Sequence, residues 1–66
     1  PHEMLSDREL EVLRLIGSGN TPTEVAAHLA LSIKTVSTYR ARILEKLNLR
    51  TTAELIRFAI DHQLIR

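Results

Sequence analysis

A chain of 66 residues with 44% apolar side chains can build one small core, but it is too short to enclose a substrate cleft. It contains no cysteine, which excludes disulfides, thiolate metal sites and thiol nucleophiles, and no membrane-length apolar run or secretory leader is expected. The net charge of +1 hides an uneven distribution: residues 1–31 balance to −3, residues 32–50 to +4 and residues 51–66 to zero, so one segment is suited to a polyanion.

Pro1-His2-Glu3-Met4 reads as the remnant of a linker, with a single domain expected over 5–66. The first helix start is Leu5-Ser6-Asp7-Arg8-Glu9-Leu10. Ser6 and Glu9 have the spacing of a capping box, and Leu5 and Leu10 that of the hydrophobic staple around it. Leu10, Leu13 and Gly17, broadened by Val12, Leu15 and Ile16, give a buried stripe. Gly19 supplies the stop, because glycine enters the left-handed region without a side-chain clash. A helix is predicted over about 7–18.

Thr21-Pro22-Thr23-Glu24 repeats the box with proline at the first helical position, where no amide hydrogen is required. Val25, Ala26 and Leu29 form the inner face of a short helix over 22–29, and Ala30-Leu31 is the turn. Ser32 caps a third helix that runs without Gly or Pro over 33–47, and Asn48 suits the reversal that follows. Thr51-Thr52-Ala53-Glu54 opens a fourth helix over 52–62. No segment alternates with period two, so the predicted class is all-α: a compact four-helix domain. Its second and third helices, joined tightly and with the third one basic, form a helix-turn-helix.

Projected at about 100° per residue, Val36, Arg40, Ile43 and Leu47 share one arc of the third helix, with Ile33 and Leu44 beside it. This side is expected to pack on the first two helices. Arg40 is the one cation on it, and its guanidinium is expected to meet a first-helix carboxylate, Glu9 before Glu11. The opposite side carries Lys34, Ser37, Thr38, Ala41, Arg42 and Glu45. Small polar residues there let a helix sink into a major groove. Ser37 and Thr38 can donate or accept, and the methyl groups of Thr38 and Ala41 can touch a thymine methyl. Thr35, Tyr39, Arg42 and Lys46 lie on a flank suited to the sugar-phosphate backbone. A solvated polar face would interleave its charges, whereas this one segregates them.

These residues resemble the LuxR-type helix-turn-helix family, and more narrowly the output domains of NarL/FixJ response regulators. The resemblance covers about Leu5 to Leu64. It rests on Leu5, Arg8-Glu9, Val12-Leu13, Gly19, Glu24-Val25-Ala26, Leu29, Lys34-Thr35-Val36, Arg42, Lys46-Leu47 and Ala53-Glu54-Leu55. The run Lys34-Thr35-Val36-Ser37-Thr38-Tyr39 is most similar to the subgroup that includes BvgA, EvgA and UvrY. The resemblance implies sequence-specific binding of double-stranded DNA by a cytoplasmic bacterial transcriptional regulator. It also implies a homodimer on DNA and, in a two-component regulator, an upstream receiver domain.

By the same resemblance the third helix is the recognition helix, with Ser37, Thr38 and Ala41 at base-reading positions. Thr21, Lys34, Thr35, Tyr39, Arg42 and Lys46 are the expected phosphate contacts. The chain departs from the family's usual pattern in its short base-facing side chains, in Tyr39 where histidine is common, and in Ala30 where a turn glycine is common. The first of these leaves the operator sequence undetermined.

The apolar residues of the fourth helix cover about 220° of arc, more than one core face requires. Leu55, Phe58 and Ala59 are expected inside, which leaves Ala53, Ile56 and Ile60 for a partner helix. An enzyme is not expected: His2, His28 and His62 lack metal-ligand spacing, and the Ser and Thr residues serve as caps. No cofactor, metal or membrane partner is expected. The competing reading is a protein-interaction module that uses the fourth helix and the polar face of the third.

Overall fold

The computed structural model describes residues 2–65. Pro1 of the expected linker remnant and Arg66 at the end of the expected domain therefore lie outside the described residues. A 3-10 turn at His2–Met4 precedes α1 (Asp7–Gly17), α2 (Pro22–Leu29), α3 (Ile33–Leu47) and α4 (Thr52–Asp61). The class is all-α, with no strand among the described residues. Every predicted start is matched. Ser18 and His62, predicted as last helical residues, are instead the caps of α1 and α4.

The starts follow from reciprocal hydrogen bonding of amides that a first turn leaves unsatisfied. The Glu9 backbone N–H donates to Ser6 Oγ at 3.2 Å while the Ser6 N–H donates to Glu9 Oε1 at 2.8 Å. Thr21 with Glu24 and Thr51 with Glu54 repeat this box. α3 differs: Ser32 Oγ accepts from the Thr35 N–H at 3.0 Å, and no acidic residue occupies its first turn.

All four helices also end alike. Gly19, Ala30, Asn48 and Gln63 adopt φ of 97°, 55°, 57° and 55°. The next residue then sends its N–H back over the last turn: Asn20 to Leu15 at 3.1 Å, Leu31 to Ala26 at 2.9 Å, Leu49 to Leu44 at 2.8 Å and Leu64 to Ala59 at 2.9 Å. This closure satisfies last-turn carbonyls and turns the following apolar residue inward. Leu31, Leu49 and Leu64 accordingly pack against the core. Gly19 and Asn48 fill these positions as expected, whereas Ala30 and Gln63 enter the left-handed region with a Cβ.

Val12, Leu13, Ile16, Val25, Ala26, Val36, Ile43, Leu44, Leu55 and Ala59 form the buried core. α1 lies at its centre, packing on α4, α3 and α2, while α2 packs on α3. Gly17 sets the closeness of α1 and α4. A Cβ on it would stand 2.7 Å from Ala59 Cβ and 2.9 Å from Ile65 Cγ2. One apolar expectation is corrected: Ile33, the first residue of α3, is 50% exposed. Phe58 is half-buried and packs against the core as expected, with the His62 ring stacked on it at 4.0 Å.

Candidate nucleic-acid interface

The three residues between α2 and α3 fix how α3 is presented. Ala30 reverses the chain in the left-handed conformation, Leu31 anchors to the core, and Ser32 restarts the helix. Val36, Ile43 and Leu44 then clamp the inner side of α3. Lys34, Ser37, Thr38, Ala41, Arg42 and Glu45 are left exposed together on the outside. Among the described residues neither Lys34 nor Arg42 has a carboxylate partner. Between them lie only short side chains, so the helix backbone can come close to a surface that meets it.

The amino end of α3 is electropositive for two reasons. Unsatisfied amides and the helix dipole place partial positive charge there, and Lys34 adds a full one. At the other three starts the capping glutamate offsets that field. Backbone N–H groups hold the Glu24 and Glu54 carboxyls below their ordinary range, from Thr21 for Glu24 and from Arg50 and then Thr51 for Glu54. Thr21, an expected phosphate contact, is exposed and occupied as the cap of α2. Thr35 and Tyr39 are half-buried: Thr35 Oγ1 accepts from Ser32 Oγ at 2.9 Å, and the Tyr39 ring packs against the core.

The ion pair expected between Glu9 and Arg40 does not form. Glu9 Oε1 instead accepts from Lys46 Nζ at 2.7 Å, and Arg40 Nε donates to Thr52 Oγ1 at 2.8 Å. Glu11, the second expected partner, lies 4.0 Å from Arg8. The Lys46 side chain reaches α1, and the Arg40 side chain reaches the start of α4. Helical projection places Arg40 on the core arc and Lys46 on its flank, and does not say which neighbour each one meets.

Glu9 is only 3% exposed. The Lys46 hydrogen bond, followed by the Ser6 amide, holds its carboxyl below the ordinary range against the opposing effect of burial. Lys46 is thereby taken out of the open cationic surface, although its side chain stays 40% exposed.

On α4, Ile60 is 50% exposed and Ala53 is open, while Ile56 is partly covered by the core. These three lie on the outward side of the helix. Beside them runs a shallow apolar groove lined by Leu49, Ala53, Phe58 and His62, with Arg57 and Asp61 paired at its rim. Among the described residues no group of three or more side chains is placed to hold a metal ion. No helix there is long and apolar enough to cross a membrane.

A basic helix presented by a three-residue turn is the arrangement that comparison with known proteins then places. Residues 3–59 match the bacterial regulatory proteins of the luxR family. The chain belongs to this family. It is 54% identical over 63 residues, 96% of its length, to a Pseudomonas aeruginosa protein provisionally named as a transcriptional regulator. It is 42% identical over 65 residues (98% of its length) to the oxygen regulatory protein NreC of Staphylococcus carnosus. Against the fimbriae Z protein of Salmonella typhimurium the identity is 45% over 65 residues, 97% of its length. The chain spans 30% of the first two of these luxR-family relatives and 31% of the third. The match identifies the chain as a domain of the bacterial regulatory proteins of the luxR family, with α2, the turn and α3 as its helix-turn-helix.

Proposed function

We propose that this domain binds double-stranded DNA sequence-specifically as the output domain of a two-component response regulator, with α3 in the major groove. The observation that carries the reading is the outer face of α3: short side chains at Ser37, Thr38 and Ala41 between Lys34 and Arg42, which have no carboxylate partner among the described residues. Small residues admit the base edges, and the flanking cations meet phosphates on either side. Thr21, Thr35 and Tyr39 complete the backbone contacts at the groove margin. Lys46 acts through Glu9, holding α3 on α1.

Ala53, Ile56 and Ile60 form the contact between two copies bound to related half-sites, which leaves the α3 face free. The receiver reading is supported by the similarity to NreC, whose name is that of a regulator, and by the short share of such relatives that this chain spans. The BvgA, EvgA and UvrY subgroup is supported by the α3 run Lys34–Tyr39 alone. A cytoplasmic site of action follows from the proposed DNA target. Selection from a randomised duplex pool tests the function. The expected result is an enriched motif that outcompetes scrambled duplex, and recovery of unenriched sequences would contradict it. One observation favours a second reading, a protein-interaction module: the apolar groove and the exposed Ile60 share α4. That reading predicts no duplex binding at any salt concentration.

A further inference from the structure

Within the base-facing set, the two hydroxyls are not equivalent. Thr38 Oγ1 donates to the Lys34 carbonyl oxygen one turn back, at 3.1 Å. Its single proton is thus engaged by the helix itself, a habit of threonine inside helices. The hydroxyl is turned back to the helix backbone, which leaves the methyl group as the apolar part of an exposed side chain. Ala41, three residues on and also exposed, adds a second methyl about 5–6 Å away. Ser37 is different: its hydroxyl makes no hydrogen bond among the described residues, so it remains able to donate.

From this geometry we infer that Thr38 and Ala41 read DNA through methyl contact with the C5-methyl group of thymine, while Ser37 supplies the hydrogen bond to a neighbouring base edge. The inference rests on the proposed placement of α3 in the major groove. Thymine is the base that carries a methyl group there, whereas cytosine presents an amino donor beside a bare C5. A threonine hydroxyl with its proton engaged can only accept. This face therefore favours a thymine against Thr38 and Ala41 and gives no donor for guanine O6 or N7 at that pair. Lys34 and Arg42, one turn before and one turn after Thr38, hold the helix in place without reading sequence.

The test uses duplexes recovered from a randomised pool by the protein. Each thymine in the enriched motif is replaced singly by deoxyuridine, which removes the 5-methyl and leaves the base pair intact. At one or two positions per half-site, uracil is expected to weaken binding about fourfold, the worth of one buried methyl. Thr38→Ser should cause a similar loss on the thymine duplex and none on the uracil duplex, while Thr38→Val should retain the preference for thymine. If the motif binds tightly but uracil is neutral at every position, methyl reading is wrong and DNA recognition stands. Methyl reading is equally wrong if Thr38→Ser leaves the thymine–uracil difference unchanged and Ala41→Gly does too. If no duplex is bound at all, the placement of α3 fails and this inference fails with it.

Discussion

Lys46 Nζ sits 2.7 Å from Glu9 Oε1, the same oxygen that accepts the Ser6 N–H at 2.8 Å. One buried carboxylate thus both caps α1 and ties it to the end of α3. Because the folded form holds this carboxyl below its ordinary range, its contribution is complete above the unfolded pKa of about 4.3. That contribution is lost as pH falls through the lowered folded value. Hydrogen bonds to charged groups are worth about 1.5–3 kcal/mol. Solvent at the lysine reduces this, so about 1 kcal/mol is expected from the pair. Urea unfolding of Glu9→Gln should show that loss at neutral pH and a shallower decline with acid than the parent chain. Equal acid dependence of the two chains would contradict the assignment.

The contact of Gly17 with Ala59 sets the spacing of α1 and α4, since a Cβ would stand 2.7 Å from Ala59 Cβ. Gly17→Ala gains helix propensity of about 1 kcal/mol, but overpacking costs about 1–3 kcal/mol, and Ile65 crowds the same point. The expected result is a net loss of about 1 kcal/mol, recovered in part by adding Ala59→Gly. Thermal unfolding of the single and double variants checks both signs.

Ala30 holds φ 55° at the helix-turn-helix corner. A side chain in that region costs about 1–2 kcal/mol, which glycine relieves, but the greater freedom of glycine in the unfolded chain offsets roughly 0.4–1 kcal/mol of that gain. Ala30→Gly should therefore stabilise the domain by about 0.5 kcal/mol. A loss on chemical denaturation would show that the turn relaxes in solution.

Most of the fold was legible because local rules agreed with one another. Ser6, Thr21 and Thr51 each stand three residues before a glutamate, and those spacings mark three helix starts directly. Periodicity identified the core on α1 and α3. The ends were harder to read: Ala30 and Gln63 have no intrinsic preference for left-handed backbone, and their conformation is imposed by inward packing of Leu31 and Leu64. The candidate interface was legible as a set of exposed α3 residues. The partners of Arg40 and Lys46 were not, because projection gives an angle around one helix and not the identity of its neighbour. The spacing of Glu9 from Ser6 already engaged that carboxylate at the start of α1, and the reach of Lys46 toward that end is a property of the folded chain alone.

On α4, Ile60 is half-exposed and Ile56 is partly covered. Ile60→Glu should leave the helical circular dichroism signal intact and abolish cooperative binding to paired half-sites, while single half-site affinity stays within about twofold. Ile56→Glu should do the same with a stability loss of about 1–2 kcal/mol from its packed portion. Unchanged cooperativity in both variants would move the dimer contact away from this face.

The proposed contact of the outer face of α3 with DNA phosphates, through Lys34 and Arg42, has a direct thermodynamic signature. It is read by fluorescence anisotropy of a labelled duplex titrated with the domain across a range of salt concentrations. The logarithm of affinity is expected to fall linearly with the logarithm of salt, by about 0.9 of a decade per decade of salt for each phosphate contact. Arg42→Ala and Lys34→Ala should each lower that slope by about one contact. Absence of binding at low salt, or a slope unmoved by either substitution, would contradict this role for α3.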